Sequence, residues 1–366
     1  VTIIILAFAV AFFFAMNIGA SGAAASMGIA YGSGAVEKRR FALFICGIGV
    51  FLGAALGGGE VVKTLSGGII PQSIINVNIA LIILGAASTS LFIANLLGIP
   101  LSTSEVTVGA IVGVGVAYKS VFVGSLFKVV LLWILIPILA FFLSIVVTKL
   151  IIYVEKKMPS LKSKKWTKFL TLLLIGTGFM EAFSAGMNNV ANSVGPLIAT
   201  GHISMQNGIL LGGLFVALGA IFLGGKVIET NGKKITELSL LQGSAISGLG
   251  ATIVIIASIF GIPVPQTQIT TCSILGVGIT NKGIEILKKD VITRLLKVWL
   301  LSPVVSLVIS YNLVKLFLDF DMYSVVLVLC VFLGTIGTIS LIESAKEPKI
   351  KSIRLVKVRV KKVGGR

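Results

Sequence analysis

Apolar residues fill this chain in blocks, and polar residues are confined mostly to short breaks between them. The blocks run over residues 2–34, 41–57, 77–98, 100–117 and 120–153, then 167–200, 207–224, 238–262, 263–281 and 291–318, with a last one at 322–342. A helix of about 20 apolar residues spans a bilayer, so the pattern predicts an all-α polytopic membrane protein with about 11 crossings. The opening block continues through Asn17 to Gly34 without a cleavage pattern, so it reads as a mature helix rather than a signal peptide.

The blocks are duplicated. Gly19-Ala20-Ser21-Gly22-Ala23-Ala24-Ala25-Ser26-Met27-Gly28 returns as Gly186-Met187-Asn188-Asn189-Val190-Ala191-Asn192-Ser193-Val194-Gly195, 167 positions later. Gly53 to Thr64 pairs with Gly219 to Thr230. Pro100-Leu101-Ser102-Thr103-Ser104-Glu105-Val106-Thr107 pairs with Pro263-Val264-Pro265-Gln266-Thr267-Gln268-Ile269-Thr270, and Trp133 and Pro137 with Trp299 and Pro303. Five segments per copy is an odd number, so the second copy is inverted across the membrane. The predicted organisation is a first inverted repeat over 1–153, a basic cytoplasmic linker over 154–166, a second repeat over 167–318, a final transmembrane helix over 322–342 and a basic cytoplasmic tail over 343–366. The first and fourth segments of each repeat, interrupted by Gly, Ser and Pro, are expected to be broken or re-entrant.

Charge fixes an orientation. Only 12% of residues are charged, against about 25% in soluble domains, and mean hydropathy is +1.07. The net charge of +18 sits in loops and tail, with no nucleic-acid-reading motif, so it reads as a positive-inside signal. Lys38-Arg39-Arg40 matches the uncharged Ile203 to Gln206, and the lone Lys119 matches a loop holding Lys282, Lys288, Lys289 and Arg294. Placing the richer loops inside predicts an external N-terminus and a cytoplasmic C-terminus in a cell membrane. Cys46, Cys272, Cys330 and the single His202 stand far apart, so no metal site is expected.

Candidate chemistry gathers where polar residues interrupt the apolar blocks, because irregular backbone at membrane depth is tolerated only against protein or a water-filled cavity. The expected substrate-binding residues are Ser21, Gly22, Ser26, Ser102, Thr103, Ser104, Asn188, Asn189, Asn192, Ser193, Gln266 and Thr267. Ser102 to Ser104 and Gln266 to Thr267 follow prolines and resemble helix starts, whose free N–H groups and positive dipole end attract anions; the alternative is simple N-capping. Glu105, Glu181 and Gln268, the last at the position that aligns with Glu105, are the coupling-ion candidates, since an intramembrane acid is by default functional; a packing role for a protonated carboxyl is the alternative. Glu60 with Lys63, and Lys226 with Glu229, have the spacing of helix-end ion pairs. No nucleophile with a base, metal cluster or phosphate loop points to an enzyme, and no cofactor is expected beyond a coupling H⁺ or Na⁺.

These residues resemble the PiT family of inorganic phosphate transporters: the Gly19 and Gly186 motifs are similar to its duplicated G-A-N-D-V-A-N signature, and Pro100 to Glu105 to its P-V-S-T-T-H segment. The resemblance implies an inverted-repeat secondary carrier for a tetrahedral oxyanion, driven by Na⁺ or H⁺ and commonly a homodimer. Where the signature has Asn-Asp, this chain has Ser21-Gly22 and Asn188-Asn189, and the histidine place holds Glu105 and Gln268. In these departures it resembles the CysP-type sulfate permease branch. Phosphate near neutral pH retains a proton that a carboxylate can accept, whereas sulfate retains none and is served by amide and hydroxyl donors. The expectation is cation-coupled sulfate symport by alternating access, with phosphate as the second reading and a passive anion channel as a remote third.

Overall fold

The computed structural model describes residues 1–96, 101–234, 238–284 and 289–346. Pro100, Lys288 and the tail from Glu347 onward, all used in the sequence reading, lie outside these. Every regular element among the described residues is helical. The first half runs α1 (Thr2–Ile18), a π-helical turn (Gly19–Ala23), α2 (Gly28–Gly32), α3 (Arg39–Gly57), α4 (Gly59–Lys63), a second π-helical turn (Thr64–Gly68), α5 (Val77–Leu96), α6 (Thr103–Ala117) and α7 (Val123–Lys157). The second half runs α8 (Lys164–Ala199), α9 (Met205–Leu223), α10 (Gly225–Lys234), α11 (Leu240–Ile259), α12 (Gln266–Lys282) and α13 (Lys289–Phe317), and α14 (Met322–Lys346) follows. The chain separates into two compact units, Val1–Val314 and Lys315–Arg366.

Eight helices among the described residues are long and apolar enough to cross a membrane, so the chain is a multi-pass membrane protein. Fewer segments reach crossing length than the eleven apolar blocks suggest. The fourth block of each repeat is a short helix: α6 has 15 residues and α12 has 17, about 23 and 26 Å against about 30 Å of hydrocarbon. The first blocks differ from each other. α1 gives way to a π-helical turn at Gly19, whereas α8 stays helical for 36 residues, carrying Pro196 near its end. Most of the basic linker is helical too, because α7 continues to Lys157 and α8 begins at Lys164.

Local chemistry explains the boundaries. Ser102 caps α6 by accepting from the Glu105 N–H, Ser204 caps α9, and Ser239 with Gln242 forms a reciprocal capping box at α11. Past the helix ends, Gly201 and Gly261 take positive φ values of 76° and 70°. Glu60 and Lys63 pair at 2.6 Å as their spacing predicts, while Glu229 is paired with Arg39 at 2.6 Å.

The two halves are packed by exchange. α8 lies against α3 and α1 against α9; α12 lies against α7. At Gly19 a Cβ would overlap the Val216 carbonyl, and at Gly186 it would overlap the Val50 carbonyl. At Gly113 it would overlap Leu307 O and Ser310 Oγ, and at Gly276 Ser144 Oγ while crowding Phe141 O. Each contact is matched by its counterpart with the halves exchanged, the signature of a two-fold relation, in which residue i meets j and j meets i. Lacking a side chain, these glycines let helices approach at backbone distance, as small residues do in membranes.

Candidate functional site

The exchange brings the start of α6 from one half against the middle of α8 from the other. Asn188, Asn189 and Asn192 lie on or beside one face of α8, and each is at most 3% exposed. Thr103 and Ser104, in the first turn of α6, are buried against them. Thr103 Oγ1 donates to Asn189 Oδ1 at 3.0 Å and Ser104 Oγ to Asn188 Oδ1 at 3.3 Å. Asn192 Nδ2 lies 3.2 Å from Thr103 Oγ1, 3.4 Å from Ser104 Oγ and 3.4 Å from Asn189 Oδ1. Its Oδ1 is buried without a partner.

The chain entering α12 closes the other side. Asn188 Nδ2 donates to Ser258 Oγ (3.0 Å) and to the Ile262 carbonyl (3.1 Å), while the Val264 N–H donates to Asn188 Oδ1 (3.2 Å). Ser104 Oγ reaches the Val264 carbonyl at 3.2 Å. Asn189 Nδ2 donates to Gln266 Oε1 at 3.4 Å, and Gln266 Nε2 to the Glu181 carbonyl at 3.3 Å. Trp133 on α7 donates its indole N–H to the Pro263 carbonyl at 2.7 Å, pinning the same approach. The cluster is thus built from neutral amides and hydroxyls converging from α6, α8 and α12.

Two acids flank it. Glu181, 3% exposed, accepts from Thr270 Oγ1 at 3.0 Å, one turn into α12. Glu105, 2% exposed, accepts from Gln268 Nε2, so the two residues aligned by the sequence repeat touch directly. Among the described residues, neither acid has an ion pair with a Lys or Arg. No group of three His, Cys, Asp or Glu among the described residues is arranged to hold a metal.

Some residues expected at the site stand apart from this network. Ser21 Oγ donates to the Asn17 carbonyl one turn back, and Ser193 Oγ to the Val190 carbonyl. Ser26 is buried with its hydroxyl unpartnered, and a Cβ at Gly22 would meet nothing within 4 Å. Ser102 is the N-cap described above, and the Thr267 carbonyl accepts from Thr271. Ser258, Thr270 and the backbone of Ile262 and Val264 were missed. Thr270 had a signal, since it lies one turn after Gln266 and aligns with Thr107; the others had none. His202 is exposed and contacts Thr200.

Comparison with known proteins identifies the family. Residues 18–310 match the profile of the PHO4 phosphate transporter family. The sulfate permease CysP of Bacillus subtilis is 56% identical over 337 residues, covering 92% of this chain and 94% of that protein. A putative phosphate permease of Pyrococcus furiosus is 30% identical over 383 residues, covering 82% and 92%. A solved structure of a sodium-dependent phosphate transporter superposes with a TM-score of 0.76 at 27% identity, covering 87% of this chain and all of that one. With the duplicated motifs, the exchanged packing and these matches in agreement, the chain belongs to the phosphate transporter family.

Proposed function

We propose that this protein is a sulfate permease of the cell membrane, working by cation-coupled symport and alternating access. The observation that carries the reading is the wholly neutral donor cluster of Asn188, Asn189, Asn192, Thr103 and Ser104 at the meeting of the two halves. A fully ionised tetrahedral anion accepts hydrogen bonds and donates none, so amide N–H and hydroxyl groups suit it. The start of α6, with its positive dipole end, lies on the same side. In the structure these donors are spent on one another over 3.0 to 3.4 Å, and an entering sulfate would exchange those bonds for its four oxygens. The 56% identity to a sulfate permease over nearly the whole of both chains supports the same substrate.

Glu105 and Glu181 are the proposed carriers of the coupling proton. Each is buried next to the cluster, and loading a proton removes the cost of a buried charge. The likeness to a sodium-dependent phosphate transporter supports Na⁺ as the second coupling reading and phosphate as the second substrate. The two halves are proposed to be inverted repeats rocking about the cluster, with the N-terminus outside, the C-terminus in the cytoplasm, and two copies per assembly.

The test is uptake of radiolabelled sulfate into liposomes holding the purified protein, with pH and Na⁺ gradients imposed separately and phosphate in excess as competitor. Uptake that follows the proton gradient and ignores phosphate is expected. Uptake blocked by phosphate, or seen only with Na⁺, would move the protein to the second reading. Equilibration without accumulation under either gradient would make it a channel.

A further inference from the structure

The chain between α11 and α12 is non-helical and largely buried, and each of its backbone polar groups from Gly261 to Val264 has a partner. The Gly261 and Ile262 N–H groups donate to the Ser258 and Ala257 carbonyls, the Val264 N–H donates to Asn188 Oδ1, and Pro263 has none to place. The four carbonyls are met by side chains from four different elements. Thr64 Oγ1, in the second π-helical turn, donates to Gly261 at 2.6 Å, and Asn188 Nδ2 on α8 to Ile262 at 3.1 Å. The Trp133 indole on α7 donates to Pro263 at 2.7 Å, and Ser104 Oγ on α6 to Val264 at 3.2 Å, where the Gln266 N–H also arrives. The segment is a strap tied at every residue.

The ties alternate between two kinds of donor. Asn188 and Ser104 belong to the neutral cluster, and an entering anion would take over their hydrogen bonds. Thr64 and Trp133 bond the strap and, for Thr64, the Glu60 carbonyl of its own turn at 3.5 Å. Both lie in the matches that mark the duplication, aligned with Thr230 and Trp299, yet the anion chemistry does not use them. When Asn188 turns to an anion, the Ile262 carbonyl and the Val264 N–H lose it as a partner, and a buried group left unpaired is costly enough to make the backbone shift. The ties at Gly261 and Pro263 survive that exchange. We propose that Thr64 and Trp133 are positioning residues for the anion: they hold the strap, and with it Val264 and Gln266, against the cluster while Asn188 and Ser104 change partners. This rests on the reading of the cluster as the anion site.

The test is calorimetry with sulfate and, separately, phosphate on the full chain in lipid nanodiscs, paired with uptake into liposomes. Thr64→Val keeps the shape and removes the hydroxyl, Thr64→Ser keeps the hydroxyl, and Trp133→Phe keeps an aromatic ring without the N–H. Thr64→Val and Trp133→Phe are each expected to raise the sulfate Kd and KM about fivefold, the worth of one neutral hydrogen bond, with kcat within about twofold. Thr64→Ser should restore the Kd to within about twofold of the unaltered protein. Thr252→Val, an exposed position on α11 whose hydroxyl bonds the Gly248 carbonyl of its own helix, is the control and should change nothing. A lowered thermal midpoint with unchanged Kd would make the ties merely structural and overturn the proposal, and so would a Thr64→Ser protein as weak as Thr64→Val. If Thr64→Val fails to fold, Trp133→Phe decides. If the unaltered protein binds phosphate in place of sulfate, the substrate reading fails while the same variants titrated with phosphate decide this one; binding of neither anion would overturn both.

Discussion

The two copies of the opening motif have kept one task and divided another. Gly19 and Gly186 sit at matching places and both press their backbones against the opposite half, against Val216 and Val50. Beyond the glycine they diverge. The first copy winds into a π-helical turn whose Ser21 hydroxyl serves its own backbone, and the second stays α-helical, presenting three buried amides to α6 and α12. The acids diverge in the same way: Glu181 aligns with the buried Phe14, and Glu105 faces Gln268. Duplication thus secures the framework, while polar chemistry is concentrated on one side of the two-fold relation. A fully symmetric site would demand a ligand with matching symmetry; an asymmetric one is free to place amides on one side and backbone donors on the other.

The largest effect is expected from the shared framework. Gly19→Ala and Gly186→Ala each push a methyl into a carbonyl of the neighbouring helix, where neither backbone can yield cheaply, and overpacking costs about 1–3 kcal/mol or more. Both should lower the yield of monodisperse protein and its thermal midpoint in detergent, by similar amounts. A pair in which one member is tolerated and the other is not would break the claim that packing is equally shared.

Next come the divided residues. Asn192→Ala removes a donor that spans Thr103, Ser104 and Asn189, and should reduce sulfate kcat/KM in liposomes by about 10- to 100-fold, the worth of one or two hydrogen bonds to a charged group. Glu105→Gln should lower proton-driven uptake by about tenfold while leaving sulfate binding by calorimetry within about threefold, about 0.7 kcal/mol. Restoring the acid on the other side, as the Glu105→Gln, Gln268→Glu double variant, should return part of the lost coupling. No recovery would mean that the position, and not merely the presence of a carboxyl, is fixed by the divergence. Ser21→Ala is expected to be the mildest change, within about twofold in uptake, because its hydroxyl loses a bond to its own helix and nothing else. A large loss there would restore the first copy to the substrate site.

Much of this was legible in the residues. The collinear matches announced the duplication, and Asn188, Asn189, Asn192, Thr103, Ser104 and Gln266 do converge. Polar residues inside apolar blocks must find partners, and the strongest candidates found one another. Ser21 and Ser193 stand outside that network because a hydroxyl on a helix can bond the carbonyl one turn back. The Ile262 and Val264 backbone contacts were invisible, since every residue carries the same amide and only the path of the chain decides where it points. The short fourth helices were announced by their prolines and hydroxyls, but the π-helical turn at Gly19 was not, because a one-residue change in hydrogen-bond register leaves no spacing to read.

The crosswise packing of the halves also sets the order in which the molecule can be made. Gly113 lies against Leu307, and Gly19 against Val216, so these partners are synthesised roughly 200 residues apart. The early helices therefore enter the bilayer with their closest-fitting surfaces unmatched until the later helices arrive, although α1 and α6 already have α5 to pack against. A chain stopped after α7 should therefore persist as inserted helices whose glycine faces at Gly19 and Gly113 are left without their partners, exposed to membrane quality control.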